Sequence, residues 1–262
     1  MTDTAPATSG ATVTYLGHAT VAVEAKGTRL LTDPLLRGSL LGLLRRRRPL
    51  AGLSAADAPD AVLLSHLHRD HFDLRTLRRL GAETPIVAPR GAGALLRGHG
   101  FSEVTELGPG ERVRFGEVEV RAVPARHGGE GRSRRNRVGS QGYVIEADAR
   151  VYFAGDTGLF GEMREIGDGL DLALLPIWGW GPVLGPGHLD PRDAARALEL
   201  LRPRIAVPIH WGTYTVVGSP RLWPWMHSDP AHRFLAQAAE LAPDVDVRVL
   251  EPGESIRVGD RS

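Results

Sequence analysis

The stretch Ser65-His66-Leu67-His68-Arg69-Asp70-His71-Phe72-Asp73 decides how this chain reads. Three histidines and an aspartate fall between positions 66 and 71, directly after the apolar run Ala61-Val62-Leu63-Leu64, which predicts a buried strand. Stability gives no reason to end a strand in imidazoles. Neutral imidazole and carboxylate are ligands for divalent metals of the zinc type, and in extended chain His66 and His68 project to the same side. Asp70 and His71 then need only a turn to face a second ion.

Working outward, residues 13–16 and 20–24 alternate like paired strands, and Lys26-Gly27 predicts the turn into a third strand at 29–32, ended by Asp33-Pro34. Residues 35–44 are largely apolar and are followed by four consecutive arginines, 45–48. The segment 35–49 reads either as a flap touching an anionic, greasy substrate or as a solvated surface loop. Downstream of the histidine motif the pattern predicts a helix at 73–80, strands at 86–87, 104–107, 112–115 and 117–123, and a helix at 91–99. The strand at 117–123 runs out at Pro124-Ala125-Arg126-His127. The following segment, 128–140, is rich in Gly and Arg without periodicity and reads as a mobile loop.

The second half repeats the theme. Strands at 142–146 and 151–154 lead to Gly155-Asp156-Thr157-Gly158 and a helical stretch at 159–166. A strand at 171–175 follows, then a helix at 191–201 with Asp190 as N-cap, and a strand at 205–209 that stops at His210-Trp211-Gly212. A helix at 230–241 and strands at 245–250 and 254–258 complete the pattern. Strand runs broken by a few helices, twice over, predict a layered sheet core with helices outside. Residues 1–11, small and polar, are expected to be disordered, and 12–262 to form a single domain without an internal linker.

The composition bounds the chemistry. The chain has 262 residues, 42% hydrophobic and 24% charged, with 32 basic against 31 acidic residues for a net charge of +1. Nothing in that balance attracts nucleic acid or anionic membranes globally, so any basic patch is local. There are no cysteines, which excludes disulfides, thiolate nucleophiles and thiolate metal sites and fits a reducing, cytoplasmic setting. Lys26 is the single lysine and sits in a surface turn, so a Schiff-base mechanism is discarded. No secretory leader and no run of 18 apolar residues is visible in the sequence.

Five places now offer ligands: His66 with His68, Asp70 with His71, His127, Asp156 and His210. Seven ligands suit two metal ions, three to each and one carboxylate between them. The order H-x-H-x-D-H, a lone His, Gly-Asp-Thr and a late His resembles the metallo-β-lactamase superfamily. That resemblance implies an α+β fold, a four-layer αββα sandwich of two related halves. It also implies that His66, His68 and His127 hold the first ion, that Asp70, His71 and His210 hold the second, and that Asp156 bridges them. Further motifs narrow it. Gly17-His18-Ala19-Thr20, Leu31-Thr32-Asp33-Pro34, Phe153-Ala154-Gly155-Asp156-Thr157-Gly158, His188-Leu189-Asp190-Pro191 and Ile209-His210-Trp211-Gly212-Thr213 look like the N-acylphosphatidylethanolamine-hydrolysing phospholipase D branch. The ascorbate-6-phosphate lactonase-like proteins share much of this pattern. The similarity runs over residues 13–211. It departs at 179–187, which is short and glycine-rich where that branch carries aromatics.

Two divalent ions, zinc foremost with manganese or iron as alternatives, would acidify a shared water and clamp a developing oxyanion. That predicts a hydrolase acting on a phosphodiester, a phospholipid-like substrate among the candidates, with a lactone or carboxylic ester as the alternative and a nuclease as a weaker one. Asp70 and His188 are the expected catalytic residues, His188 through contact with a substrate oxygen or protonation of the leaving group. Asp33 and Asp73 are candidates either to orient histidine ligands or to cap strand and helix ends. His18 either orients a ligand or packs, and His99, His227 and His232 read as structural. Trp178, Trp180, Trp211, Trp223 and Trp225 crowd the last third, as site wall or as core. An oxygen-reducing di-iron protein of the same fold would carry glutamate where His68 stands, together with a flavin domain. The expected partner is an anionic small molecule or lipid-like substrate, with no nucleic acid; a peripheral membrane contact and a homo-oligomer are left open.

Overall fold

In the computed structural model, which describes residues 10–47, 58–127, 138–218 and 229–259, the predicted strand pattern resolves into two seven-stranded sheets and one small one. The first sheet contains β1 (Ala11–Gly17), β2 (Thr20–Ala25), β3 (Thr28–Thr32), β6 (Ala61–Leu63), β7 (Ile86–Pro89), β8 (Val104–Leu107) and β17 (Ser255–Val258), in the order β17-β1-β2-β3-β6-β7-β8. The small sheet joins β4 (Ser39–Leu40) and β5 (Leu44–Arg46) to β15 (Tyr214–Val216). The second large sheet, in the order β16-β14-β13-β12-β11-β10-β9, is built from β9 (Arg112–Phe115), β10 (Val118–Pro124), β11 (Gln141–Glu146), β12 (Arg150–Phe153), β13 (Leu172–Pro176), β14 (Ile205–Ile209) and β16 (Asp246–Val247).

The two large sheets share one pairing pattern. From β17 to β3 every neighbour is antiparallel, and from β3 to β8 every neighbour is parallel. From β9 to β12 the pairs are again antiparallel, and from β12 to β16 parallel. These are the two related halves, and the change from antiparallel to parallel pairing falls at β3–β6 in one and β12–β13 in the other. Ligands gather outside the carboxyl ends of such strands.

Packing explains the layering. Alternate residues of both sheets, among them Val13, Val23, Leu63, Val120, Tyr143, Phe153 and Val207, interlock in the central core. The outer face of the first sheet packs on α1 (Leu74–Leu80) and α2 (Gly93–Gly98) through Val62, Leu77, Leu96 and Phe101. The outer face of the second packs on α3 (Met163–Ile166), α4 (Pro191–Leu201) and α5 (Asp229–Leu241) through Tyr152, Leu198 and Phe234. The result is the αββα sandwich. No helix among the described residues is long and apolar enough to cross a membrane.

Most predicted elements sit where the pattern puts them, and α4 starts at Pro191 with Asp190 accepting from the amides of Arg192 and Asp193. Four differ. β1 takes in Ala11, the end of the stretch expected to be disordered; residues 1–9 lie outside the described residues. The helix expected over 159–166 shrinks to Met163–Ile166, and Thr157 and Gly158 before it are tied to Arg126. The strand expected at 245–250 pairs only at Asp246–Val247, on the sheet edge. The segment 35–49 is a hairpin rather than a free loop, with Arg48 and Pro49 outside the described residues. Most of the expected mobile loop 128–140 also lies outside them, as do His227, Trp223 and Trp225.

Candidate metal centre

The centre forms where the turns after β1, β3, β6, β10, β12, β13 and β14 meet. His66 and His68 follow β6, and their ring centroids lie 4.6 Å apart. His127, three residues beyond β10, brings Nε2 to 3.0 Å from His68 Nδ1. On the other side His71 Nε2 lies 3.0 Å from His210 Nε2, and Asp70 Oδ2 lies 3.6 Å and 3.5 Å from those two nitrogens. Asp156, after β12, faces both groups, with carboxylate oxygens 3.2 Å from His71 Nε2, 3.4 Å from His210 Nε2 and 3.9 Å from His66 Nε2. All seven residues singled out in the sequence are thus brought to one place.

The back of four of the five rings is occupied, and that fixes the direction of the front. His71 Nδ1 donates to Asp33 Oδ2 at 2.7 Å. His210 Nδ1 donates to the Trp178 carbonyl at 2.9 Å, and His127 Nδ1 to the Gly187 carbonyl at 3.0 Å. His66 Nδ1 meets Ser65 Oγ at 2.9 Å, and that hydroxyl donates to Asp33 Oδ2 at 2.5 Å. A ring nitrogen that donates outward leaves its partner nitrogen with a lone pair facing in. Nitrogens that face each other at 3.0 Å need a proton or a cation between them, and four-coordinate zinc with Zn–N of 2.0–2.1 Å sets neighbouring ligand nitrogens about 3.3 Å apart. Two buried atoms, His66 Nε2 and Asp156 Oδ1, have no hydrogen-bond partner among the described residues. The donor set, all imidazole and carboxylate, fits divalent metal of zinc, manganese or iron type.

The electrostatics agree. Burial lowers His66, His68 and His127 below the usual histidine range, so they stand neutral as ligands must. Burial pushes Asp70 and Asp156 up, yet the surrounding imidazoles outweigh it and hold both carboxyls well below the usual range.

The two undecided aspartates part ways. Asp33, wholly buried at a positive φ of 33°, accepts from the Ser65 amide and hydroxyl and from His71, so it serves the centre. Asp73 caps α1 by accepting from the amide and hydroxyl of Thr76, and pairs with Arg37 at 3.1 Å. His18 belongs to the cluster more fully than its sequence setting suggests. Its Nε2 lies 3.1 Å from Asp70 Oδ2, its ring centroid lies 4.0 Å from that of His210, and its carbonyl accepts from the His210 amide. Burial, seconded by His210, drops its pKa to about 3, so a neutral His18 donates to Asp70 and sets the direction of that carboxylate. Thr213 Oγ1 accepts from the His18 amide at 2.7 Å and holds its left-handed turn, φ 59°.

The glycine-rich loop after β13 spans the centre. Its second residue, Trp178, holds His210, its Gly187 holds His127, and His188 Nε2 ends 3.4 Å from Asp156 Oδ2. Burial pulls His188 down, but the hydrogen bond and charge of Asp156 outweigh it and raise its pKa. Trp180 and Val183 stand exposed on the crest of this loop, whereas Trp211 is buried and donates to the Pro208 carbonyl as a core residue.

Residues 28–211 match the family described as a beta-lactamase superfamily domain. A UPF0173 metal-dependent hydrolase of Methanopyrus kandleri is 35% identical over 252 residues, spanning 93% of this chain and 98% of that protein. A UPF0173 metal-dependent hydrolase of Opitutus terrae is 37% identical over 255 residues, with 94% and 99% covered. An N-acyl-phosphatidylethanolamine-hydrolyzing phospholipase D of Caenorhabditis elegans is 34% identical over 79% of this chain and 65% of its own length. Among solved structures, Igni18, a metallo hydrolase of the archaeon Ignicoccus hospitalis, superposes with a TM-score of 0.69 at 28% identity, over 94% of this chain and 97% of that one.

Proposed function

The chain belongs to the metallo-β-lactamase superfamily of metal-dependent hydrolases, and from that premise we propose that it uses two divalent ions, zinc foremost, to hydrolyse a phosphodiester in an anionic, lipid-like substrate. The observation that carries the reading is Asp156, one carboxylate within 3.2 to 3.9 Å of ring nitrogens from both histidine groups. His66, His68 and His127 would hold one ion and Asp70, His71 and His210 the other. Such ions supply an acidified water as nucleophile and positive charge against the developing oxyanion.

The remaining work falls to the chain. Asp33 and Ser65 keep His66 and His71 turned inward, and His18 does the same for Asp70. His188, partly exposed and with its raised pKa, carries a proton at Nε2. As the phosphorus–oxygen bond to the leaving group breaks, that oxygen takes the His188 proton and departs as an alcohol. Trp180 and Val183 offer apolar contact for the part of the substrate beyond the phosphate.

The test is turnover of the zinc-loaded chain on bis-p-nitrophenyl phosphate, a phospholipid panel and a lactone panel. Hydrolysis of the diester and of a phospholipid, lost on chelation and restored by metal, is the expected result. Turnover of lactones alone would overturn the phosphodiester assignment, and turnover indifferent to chelation would overturn the metal reading.

A further inference from the structure

The β4–β5 hairpin is built as a presented tip. Its turn, Leu41-Gly42-Leu43, holds Leu41 at φ 55° and Gly42 at φ 71°, a left-handed pair for which a plain turn would use Asn, Asp or Gly. Leu41 is 48% exposed and Leu43 65% exposed. Val217, 55% exposed, donates its amide to the Leu43 carbonyl at 2.9 Å, which puts these two side chains opposite each other on the ladder. The tip is not loose. Leu35, Leu40, Leu44 and Tyr214 form a small core beneath it. Arg46 turns inward to the carbonyls of Leu16 and Leu35 and over the Tyr214 ring, through space that only a glycine at position 17 leaves open.

Behind the tip lies a cleft of about 380 Å³, walled by Leu41 and Phe72 and by Arg37, Arg69 and Arg75 with Asp73. Three guanidiniums face one carboxylate, and Asp73 is already engaged by Arg37 and Thr76. Arg69 and Arg75 enter no ion pair among the described residues. Arg45 and Arg47 add two exposed cations along the hairpin. Exposed leucines on a rigid tip, ringed by cations in a chain whose net charge is only +1, are a local device.

We propose that the hairpin tip and its arginine cleft dock the chain on an anionic lipid surface, with phosphate headgroups against Arg69 and Arg75 and with Leu41, Leu43 and Val217 at the acyl boundary. Charge decides the occupant. A second copy meeting this patch about a two-fold axis would set arginine against arginine, whereas an acidic leaflet complements it at about 1 kcal/mol per basic residue. The site stands apart from the hydrolase reading, because docking is measured without turnover.

Sedimentation of the full chain with vesicles of phosphatidylcholine alone, or of equal parts phosphatidylcholine and phosphatidylglycerol, tests this. Binding to the mixed vesicles that weakens with added salt, and none to the neutral ones, is the expected result. Arg69→Gln and Arg75→Gln should each weaken it about five-fold. Leu43→Ser should weaken it about ten-fold. Should Arg69→Gln disturb the metal-bearing loop, Arg75→Gln and Leu43→Ser, both exposed and outside it, carry the test. Equal binding to both vesicles, binding to neither, or variants that bind like the parent would overturn the proposal. So would displacement by free glycerol 3-phosphate, which makes the cleft a soluble-anion site, or a dimer broken by Leu43→Ser, which makes the patch an interface between copies.

Discussion

Oδ2 of Asp33 lies 2.7 Å from Nδ1 of His71 and 2.5 Å from the Ser65 hydroxyl that meets His66, so one buried carboxylate sets the direction of an imidazole in each histidine group. Both oxygens of Asp33 are taken up by Ser65 and His71. Its influence passes entirely through the rings it holds.

Asp33→Asn keeps the shape but weakens the acceptor behind both rings. Competition with a fluorescent chelator should show metal affinity lowered about 10–100-fold. Asp73→Asn is the matched control, since among the described residues the Asp73 carboxylate pairs with Arg37 and caps the first turn of α1. It should cost up to about 1 kcal/mol of stability and leave metal affinity where it was.

Asp156→Ala and His127→Ala distinguish a shared carboxylate from a ligand of one group. Metal content at saturation should fall at both positions in the first variant, whereas the second should still hold the ion of the Asp70, His71 and His210 group. Identical losses would refute the sharing.

His188→Ala should retain its metal and lose about 10²–10⁴-fold in rate on an alkyl phosphodiester, whose alkoxide needs a proton to leave. A p-nitrophenyl ester, with its good leaving group, should lose far less. Equal losses on both substrates would make His188 a positioning residue.

Metal uptake should release protons. Burial disfavours charge on His71, but Asp156, Asp70 and Asp33 outweigh it and raise its pKa well above the usual histidine value, so after chelation it is protonated at neutral pH. That proton stabilises the chelated fold fully below the unfolded value of about 6.5, and the contribution is lost as pH rises through the higher folded value. An incoming ion displaces it. Calorimetric titration at pH 7 in buffers of different ionisation enthalpy should give about one proton released per chain, and more at lower pH. A buffer-independent heat would contradict this.

Gly155→Ala should damage both fold and site. Gly155 sits at φ 61°, and an added Cβ would stand 2.5 Å from Ser65 Cβ, between the carrier of His66 and the turn that delivers Asp156. Denaturant unfolding should show a loss of about 2–3 kcal/mol, with weaker metal binding.

The sequence made the histidine motif, the Asp190 cap of α4 and the layered fold legible, because each is written in neighbouring residues. Asp33 and Asp73 could not be told apart, since both sit at ends of predicted elements and only the fold decides which one a histidine faces. For His18 the choice between orienting a ligand and packing is undecided in the sequence for a similar reason. Its place depends on a left-handed turn held by Thr213, 195 positions away. β15 is not legible in the sequence, because its three residues are too few to show a periodicity and its partner β5 lies far back in the chain. The apolar segment before the arginines was visible, but which arginine turns inward was fixed by Tyr214 and the Leu16 carbonyl.

The repeated pairing pattern has a bearing on how the protein comes into being. Each histidine group draws on both sheets: His66 and His68 wait for His127, and Asp70 and His71 wait for His210. During synthesis the densest cluster of imidazoles therefore leaves the ribosome long before either group is whole. An ion caught at that stage would sit on half a binding site, held weakly and free to exchange. On the proposed assignment the first group would be complete once His127 follows β10 into place and the second only after β14 has taken its place beside β13, so full loading would report that both halves have folded and met.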